Sequence, residues 1–108
     1  MLAVITVLAV CLATPAIAQA VNVRVYSRSG GYRDKAKIVW TYGSVTNTSI
    51  GYTNGGLSSN YADFINVPGY VHYAQVGHYY AGTYHWHAPV YSCWTNGSWT
   101  YYDCRGFK

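Results

Sequence analysis

From Val21 onward the chain alternates apolar and polar positions with a period of two. Val21, Val23 and Val25 alternate with Asn22 and Arg24; further on, Ile38, Trp40 and Tyr42 share a face with Lys37 and Thr41 opposite. That period sends successive side chains to opposite faces of a strand. From Tyr70 to Tyr80 runs a long aromatic and β-branched segment in which Gly77 is a candidate bulge. From Thr83, the residues Tyr84, Trp86, Ala88 and Val90 make one face and His85, His87 and Tyr91 the other. Pro89 marks that run as an edge strand or a bulge, because proline cannot donate to a ladder. No stretch beyond residue 20 repeats apolar residues at helical spacing.

Turn-forming residues punctuate these runs at Ser29-Gly30-Gly31, Gly43-Ser44, Asn54-Gly55-Gly56, Pro68-Gly69, Ala81-Gly82 and Asn96-Gly97. The spacing predicts an all-β domain over residues 21–108, a small antiparallel β-sandwich of about six or seven short strands, with a small barrel as the related alternative. If Ala81-Gly82 closes a hairpin, His78 faces His85 across it, with His72 on the same sheet. A two-residue turn at Asn96-Gly97 sets Trp94 opposite Trp99 and Cys93 opposite Thr100.

The first twenty residues read differently. Leu2 to Ala13 is an uncharged apolar run, followed by small-residue cleavage patterns ending at Ala18 or Ala20. The run is shorter than the roughly 20 residues a membrane-spanning helix needs. It reads as a secretory signal peptide over residues 1–20, although no Lys or Arg precedes it. A secreted protein with no integral membrane segment in its mature chain is therefore expected. Cys11 falls within this leader, so the mature chain keeps Cys93 and Cys104, which an oxidising compartment should join in a disulfide. Free thiols or an intermolecular bridge are the alternatives. The turn geometry conflicts with the disulfide, since Cys104 would lie four residues past the position facing Cys93. A bend of the last strand after Tyr101 is the favoured resolution, a wider turn the other.

Composition adds charge and aromaticity. Seven Lys and Arg stand against three Asp and no Glu, a net charge of +4. Arg28, Arg33, Lys35 and Lys37 fall within ten residues and are the candidate anion-binding side chains. A cationic exported protein meets phosphate head groups, wall polymers and acidic glycans; no nucleic-acid partner is expected. The solvated basic surface that merely keeps the chain soluble is the plainer reading of the same charges. Thirteen Tyr and four Trp cannot all be buried in so small a core. Exposed rings stack on sugars, or simply fill a sheet surface.

Reactive chemistry is sparse. His72, His78, His85 and His87 are candidate zinc or copper ligands, but histidines among strand tyrosines more usually pack and hydrogen-bond, so neither a metal nor any other cofactor is expected. Asp34 stands between Arg33 and Lys35 and suits a structural role. Asp63 with a histidine could imitate a triad on paper. No nucleophile with a base and no carboxylate pair stands out, so the chain reads as a non-enzyme.

The order of the motifs resembles the lactococcin 972 family of secreted bacteriocins. The resemblance runs through Trp40-Thr41-Tyr42-Gly43, Ser59-Asn60-Tyr61, His72-Tyr73-Ala74-Gln75-Val76, Ala81-Gly82-Thr83-Tyr84 and Tyr101-Tyr102, about two thirds of the chain. Trp40, Gly43, Ser59, Asn60, Tyr61 and His72 are its matched positions. The gap from Tyr61 to His72, the Cys93/Cys104 pair and the basic segment before Trp40 depart from the family pattern. The resemblance implies a β-sandwich toxin that binds a lipid-linked cell-wall precursor and blocks septum synthesis in related Gram-positive bacteria. A non-toxic extracellular binding module, lectin-like or attached to a cell surface, is the alternative expectation.

Overall fold

The computed structural model describes residues 20–106. The leader expected over residues 1–20 lies, but for Ala20, outside the described residues. The chain forms eight strands: β1 (Val21–Ser27), β2 (Lys35–Tyr42), β3 (Val45–Tyr52), β4 (Asn60–Val67), β5 (Tyr70–Tyr80), β6 (Thr83–Trp86), β7 (Trp94–Asn96) and β8 (Trp99–Asp103). They make two four-stranded sheets. Sheet 1 has the order β4-β1-β8-β7, and sheet 2 the order β3-β2-β5-β6. The expected all-β sandwich is present. Its pairs are antiparallel except for one: β1 and β8 run parallel, from Asn22 beside Trp99 to Tyr26 beside Asp103. Among the described residues no helix is long and apolar enough to cross a membrane.

The core follows the period-two pattern. Val23 and Val25 of β1, Ala36 and Ile38 of β2, Ala62 and Val67 of β4, Val71, Ala74 and Val76 of β5, and Tyr102 and Cys104 at the end of the chain are buried together. Each fully buried valine contributes on the order of 1.5–3 kcal/mol. Valine and alanine dominate this core, and Gly51 of β3 leaves space for the Phe64 ring of β4.

Several expectations are corrected. The run from Thr83 to Tyr91 stays a strand only as far as Trp86, after which Val90 makes an isolated bridge to Ala74. It does form an edge, as Pro89 implied. Gly77 is not a bulge: it pairs regularly with Lys35 and Trp86. The irregularity falls instead at His72, which has no counterpart between Val39–Tyr73 and Trp40–Val71. The last hairpin turns at Gly97-Ser98, pairing Asn96 with Trp99 and Trp94 with Tyr101.

That register bears on the cysteines. Cys104 is a buried free thiol, so the expected Cys93–Cys104 disulfide is not formed. Extending the β7–β8 register by one step sets Cys93 opposite Tyr102. Cys104 lies two residues further, about 7 Å along the strand, beyond the reach of a disulfide from Cys93 without backbone movement. The expected bend after Tyr101 is absent too. The chain runs on beside β1, where the Cys104 amide donates to the Tyr26 carbonyl at 2.9 Å.

Candidate anion-binding face

The outer face of sheet 2 is set by register. Lys35 of β2 has Tyr52 of β3 on one side and Gly77 of β5 on the other, and Gly77 has Trp86 of β6 beyond it. One step along, Lys37 lies between Ile50 and Gln75. Because β2 alternates, Lys35 and Lys37 point outward while Ala36 and Ile38 point into the core. Gly77 gives the Trp86 ring a place to lie: a Cβ there would meet a ring carbon at 3.1 Å.

Cations and rings interleave across this face. Lys37 Nζ stands 4.2 Å from the Trp86 ring centroid, and Lys35 Nζ stands 4.8 Å from Tyr84 and 5.8 Å from Tyr52. Arg33 Cζ lies 5.6 Å from Tyr52. Tyr52 and Tyr84 meet edge-on at 6.0 Å, and Tyr84 meets Tyr79 at 5.0 Å. An open cleft of about 300 Å³ lies between Arg33, Tyr52 and Tyr84. Tyr52 is 50 % exposed and Tyr79 54 %.

Charge pairing separates these three bases from the other described ones, Arg24, Arg28 and Arg105. The chain has three acidic side chains, and each is taken by an arginine. Asp63 holds Arg24 in a two-pronged pair at 2.8 and 2.9 Å, and Asp103 holds Arg105 with both distances at 2.8 Å. The Arg105 hydrogen bonds hold the Asp103 carboxyl below its usual range. Asp34 binds Arg28 at 3.1 Å and accepts from the Ser27 hydroxyl at 2.7 Å. Arg33, Lys35 and Lys37 have no carboxylate partner among the described residues and lie against aromatic rings.

Of the four predicted anion-binding residues, three thus share one face, and Arg28 leaves the set because it is committed to Asp34. Tyr52, Tyr84 and Trp86 join the site. They are strand neighbours of a Lys-x-Lys pair on a solvent-facing stripe, a relation that the pairing register defines.

The histidines do not converge. His72 shares a 2.6 Å hydrogen bond with Thr41 and meets Tyr70 edge-on. His85 does pair with His78 across the Ala81-Gly82 turn, yet its ring stacks on Tyr80 and its Nε2 reaches the Tyr80 carbonyl. His78 is buried, with Nδ1 2.9 Å from His87 Nε2 and Nε2 3.7 Å from Asp34. Among the described residues no three metal-ligating side chains come together. The paper triad on Asp63 also dissolves, since that carboxylate is spent on Arg24.

The family-motif positions scatter as well. Asn60 is buried and ties two loops: its amide nitrogen donates to the Arg28 and Tyr32 carbonyls, and its oxygen accepts from the Gly55 amide at 2.7 Å. Ser59 is exposed beside it. Tyr61 lies on the outer face of sheet 1, 3.8 Å beneath the Arg24 guanidinium. Trp40 packs against the core and donates to the Ser49 hydroxyl at 2.9 Å. Gly43, with φ 64°, takes the left-handed position in the β2–β3 turn. Asn60 and Gly43 thus shape the fold, and the six positions do not form one site.

The outer face of sheet 1 is also aromatic. Tyr61, Tyr26, Tyr101 and Trp94 follow one another across four strands at 6.1, 6.2 and 5.3 Å. Here the arginines are paired, so this ladder is near neutral, unlike the face of sheet 2. Comparison with protein-family models, curated proteins and solved structures finds no match to this chain.

Proposed function

We propose that the protein is a secreted, non-enzymatic antibacterial protein that binds a lipid-linked, pyrophosphate-bearing cell-wall precursor and blocks wall synthesis in related Gram-positive bacteria. The observation that carries the reading is the set of three bases, Arg33, Lys35 and Lys37, without carboxylate partners among the described residues and bordered by Tyr52, Tyr84 and Trp86. Charge-assisted hydrogen bonds from such groups suit phosphate oxygens, and the rings suit the faces of attached sugars. The order of motifs resembling the lactococcin 972 family supports the same ligand class. The consumption of every acidic side chain in ion pairs supports binding over acid–base catalysis.

The test pairs two assays. Phospholipid vesicles with and without the wall precursor measure binding, and lawns of Gram-positive indicator strains measure killing. The protein is expected to bind the precursor vesicles and clear the lawn. The triple variant Arg33→Ala/Lys35→Ala/Lys37→Ala is expected to bind at least about tenfold more weakly, since each charge-assisted bond contributes about 1.5–3 kcal/mol. No binding and no clearing by the unaltered protein would reject the reading.

The neutral aromatic ladder of sheet 1 favours a second reading, a non-toxic extracellular sugar-binding module. Glycan binding without growth inhibition, sensitive to Trp94→Ala and indifferent to the triple variant, would select it.

A further inference from the structure

β1 and β8 finish at one end of sheet 1, where β4 begins. β3 and β5 finish at the same end of sheet 2, where β2 and β6 begin. Two segments cross between the sheets there, residues 28–34 and residues 53–59. They are laced together. The Gly30 amide donates to the Leu57 carbonyl at 3.0 Å and the Gly31 amide to the Gly56 carbonyl at 3.1 Å. The Asn60 side chain binds both segments, and Asn54 Oδ1 accepts from the Gly56 amide at 3.2 Å. A Cβ on Gly56 would collide with the Ser59 carbonyl oxygen, so the loop turns tightly about Leu57.

At the apex of this braced loop, Leu57 is 80 % exposed, the most exposed large hydrophobic side chain among the described residues. Tyr32 beside it is 48 % exposed, and Tyr80 is exposed at the adjoining β5–β6 turn. A lone exposed leucine is ordinary on a surface. Here the hydrogen bonds hold it out, so burying it against a partner requires little further ordering of the loop. Charge distinguishes this end as well. Its two acids, Asp34 and Asp103, are held by Arg28 and Arg105, which leaves Arg33 and Lys35 without carboxylate partners among the described residues. Arg33 lies directly behind the loop, its Cβ 3.9 Å from where a Cβ on Gly55 would stand. The turns at the opposite end, Gly43-Ser44, Pro68-Gly69 and Gly97-Ser98, carry no base.

We infer that this end of the sandwich docks on an anionic phospholipid bilayer, with Leu57 entering the acyl boundary, Tyr32 and Tyr80 at the interface, and Arg33 and Lys35 against lipid phosphates. A bilayer matches the order of these groups along the molecule. Its headgroup layer is about 5–7 Å deep on each side, and Arg33 follows Gly31 by two residues, roughly 7 Å at extended spacing. A leucine at the acyl boundary therefore leaves Arg33 at the level of the phosphates. Tyrosines favour that same layer, since their rings are apolar and their hydroxyls stay wet. One inserted apolar side chain binds only weakly, so the bases supply the second attraction; each base close to an anionic surface tightens binding roughly fivefold. The docking needs no wall precursor and so stands apart from the ligand proposed above.

Co-sedimentation with precursor-free vesicles tests this, using mixed phosphatidylglycerol and phosphatidylcholine against phosphatidylcholine alone. The unaltered protein should partition onto the anionic vesicles and leave them at about 1 M salt, where the Debye length falls to about 3 Å. Leu57→Ser should weaken partitioning at least about tenfold. Ile65→Ser removes a comparably exposed apolar side chain from β4, towards the other end of the molecule, and should leave partitioning unchanged. Both positions are exposed, so urea midpoints should stay within error of the unaltered protein. Leu57→Trp gives an independent readout: the anionic vesicles should shift its tryptophan emission to the blue by more than they shift that of the unaltered chain. A protein that stays in the supernatant at about 1 mM anionic lipid, as it would if the loop met a protein partner instead, overturns the inference. So does partitioning that survives Leu57→Ser, an equal loss in Ile65→Ser, or a Leu57→Trp emission that vesicles leave unshifted.

Discussion

Asp34 shows how one side chain can be committed in several directions at once. It is fully buried, it accepts from Ser27 and Arg28, it lies 3.7 Å from His78, and its own amide donates to the Thr53 hydroxyl. Removing the carboxylate leaves Arg28 without its counter-charge in a partly buried setting, and such losses cost about 3–5 kcal/mol. Asp34→Ala should therefore lower unfolding stability by about that much in urea titration; a change under about 1 kcal/mol would show that the cluster is not needed. The neighbourhood of Asp34 in the sequence, between two bases, pointed to a structural role. Its partners could not be read there, because Ser27, Thr53 and His78 meet it only through strand pairing. At the other end of the core, burial pushes the Cys104 thiol up to about 12 and raises the Tyr102 phenol as well. Both groups are neutral when folded, and the unfolded chain releases the thiol proton near pH 9. Stability should hold below that pH and fall between pH 9 and 12, as the unfolded state gains from ionising while the folded state does not. Cys104→Val should flatten this decline in urea midpoints, and an equal slope in the two proteins would refute the assignment.

Among the elements, β5 and β6 depend on Gly77. A strand glycine usually weakens its strand, but here it lets Trp86 lie flat across the pair and beneath Lys37. Gly77→Val would thrust a branched side chain into the indole. Overpacking of this kind costs about 1–3 kcal/mol, and the ring should swing into solvent. The expected readout is a red shift of tryptophan emission that is absent when Trp86→Phe is added, together with weaker anion binding. Unchanged emission would show that the ring does not rest on Gly77. The sequence carried the strands themselves well, because period-two alternation and turn residues are local signals. It misled at three places where tertiary pairing decides: the bulge went to His72 instead of Gly77, the last turn moved to Gly97-Ser98, and the cysteines were separated by the β7–β8 register. The basic cluster was legible as composition, while its split into Arg28 on one side and Arg33, Lys35 and Lys37 on the other required knowing where Asp34 points.

At the scale of the whole molecule, the parallel pairing of β1 with β8 joins the beginning of the domain to its end. Sheet 1 has the order β4-β1-β8-β7, so β8 fills an interior place and supplies Tyr102 to the core, with Cys104 two residues on. Residues up to Ser98 suffice for sheet 2 and for the β1–β4 pair, but sheet 1 stays half built until β8 takes its place beside β1. Contacts between such distant segments form slowly, because a long loop must close before they add stability. Completion of sheet 1 therefore waits on the meeting of Val21–Ser27 with Trp99–Asp103, and the closing of that long loop should set the pace of refolding.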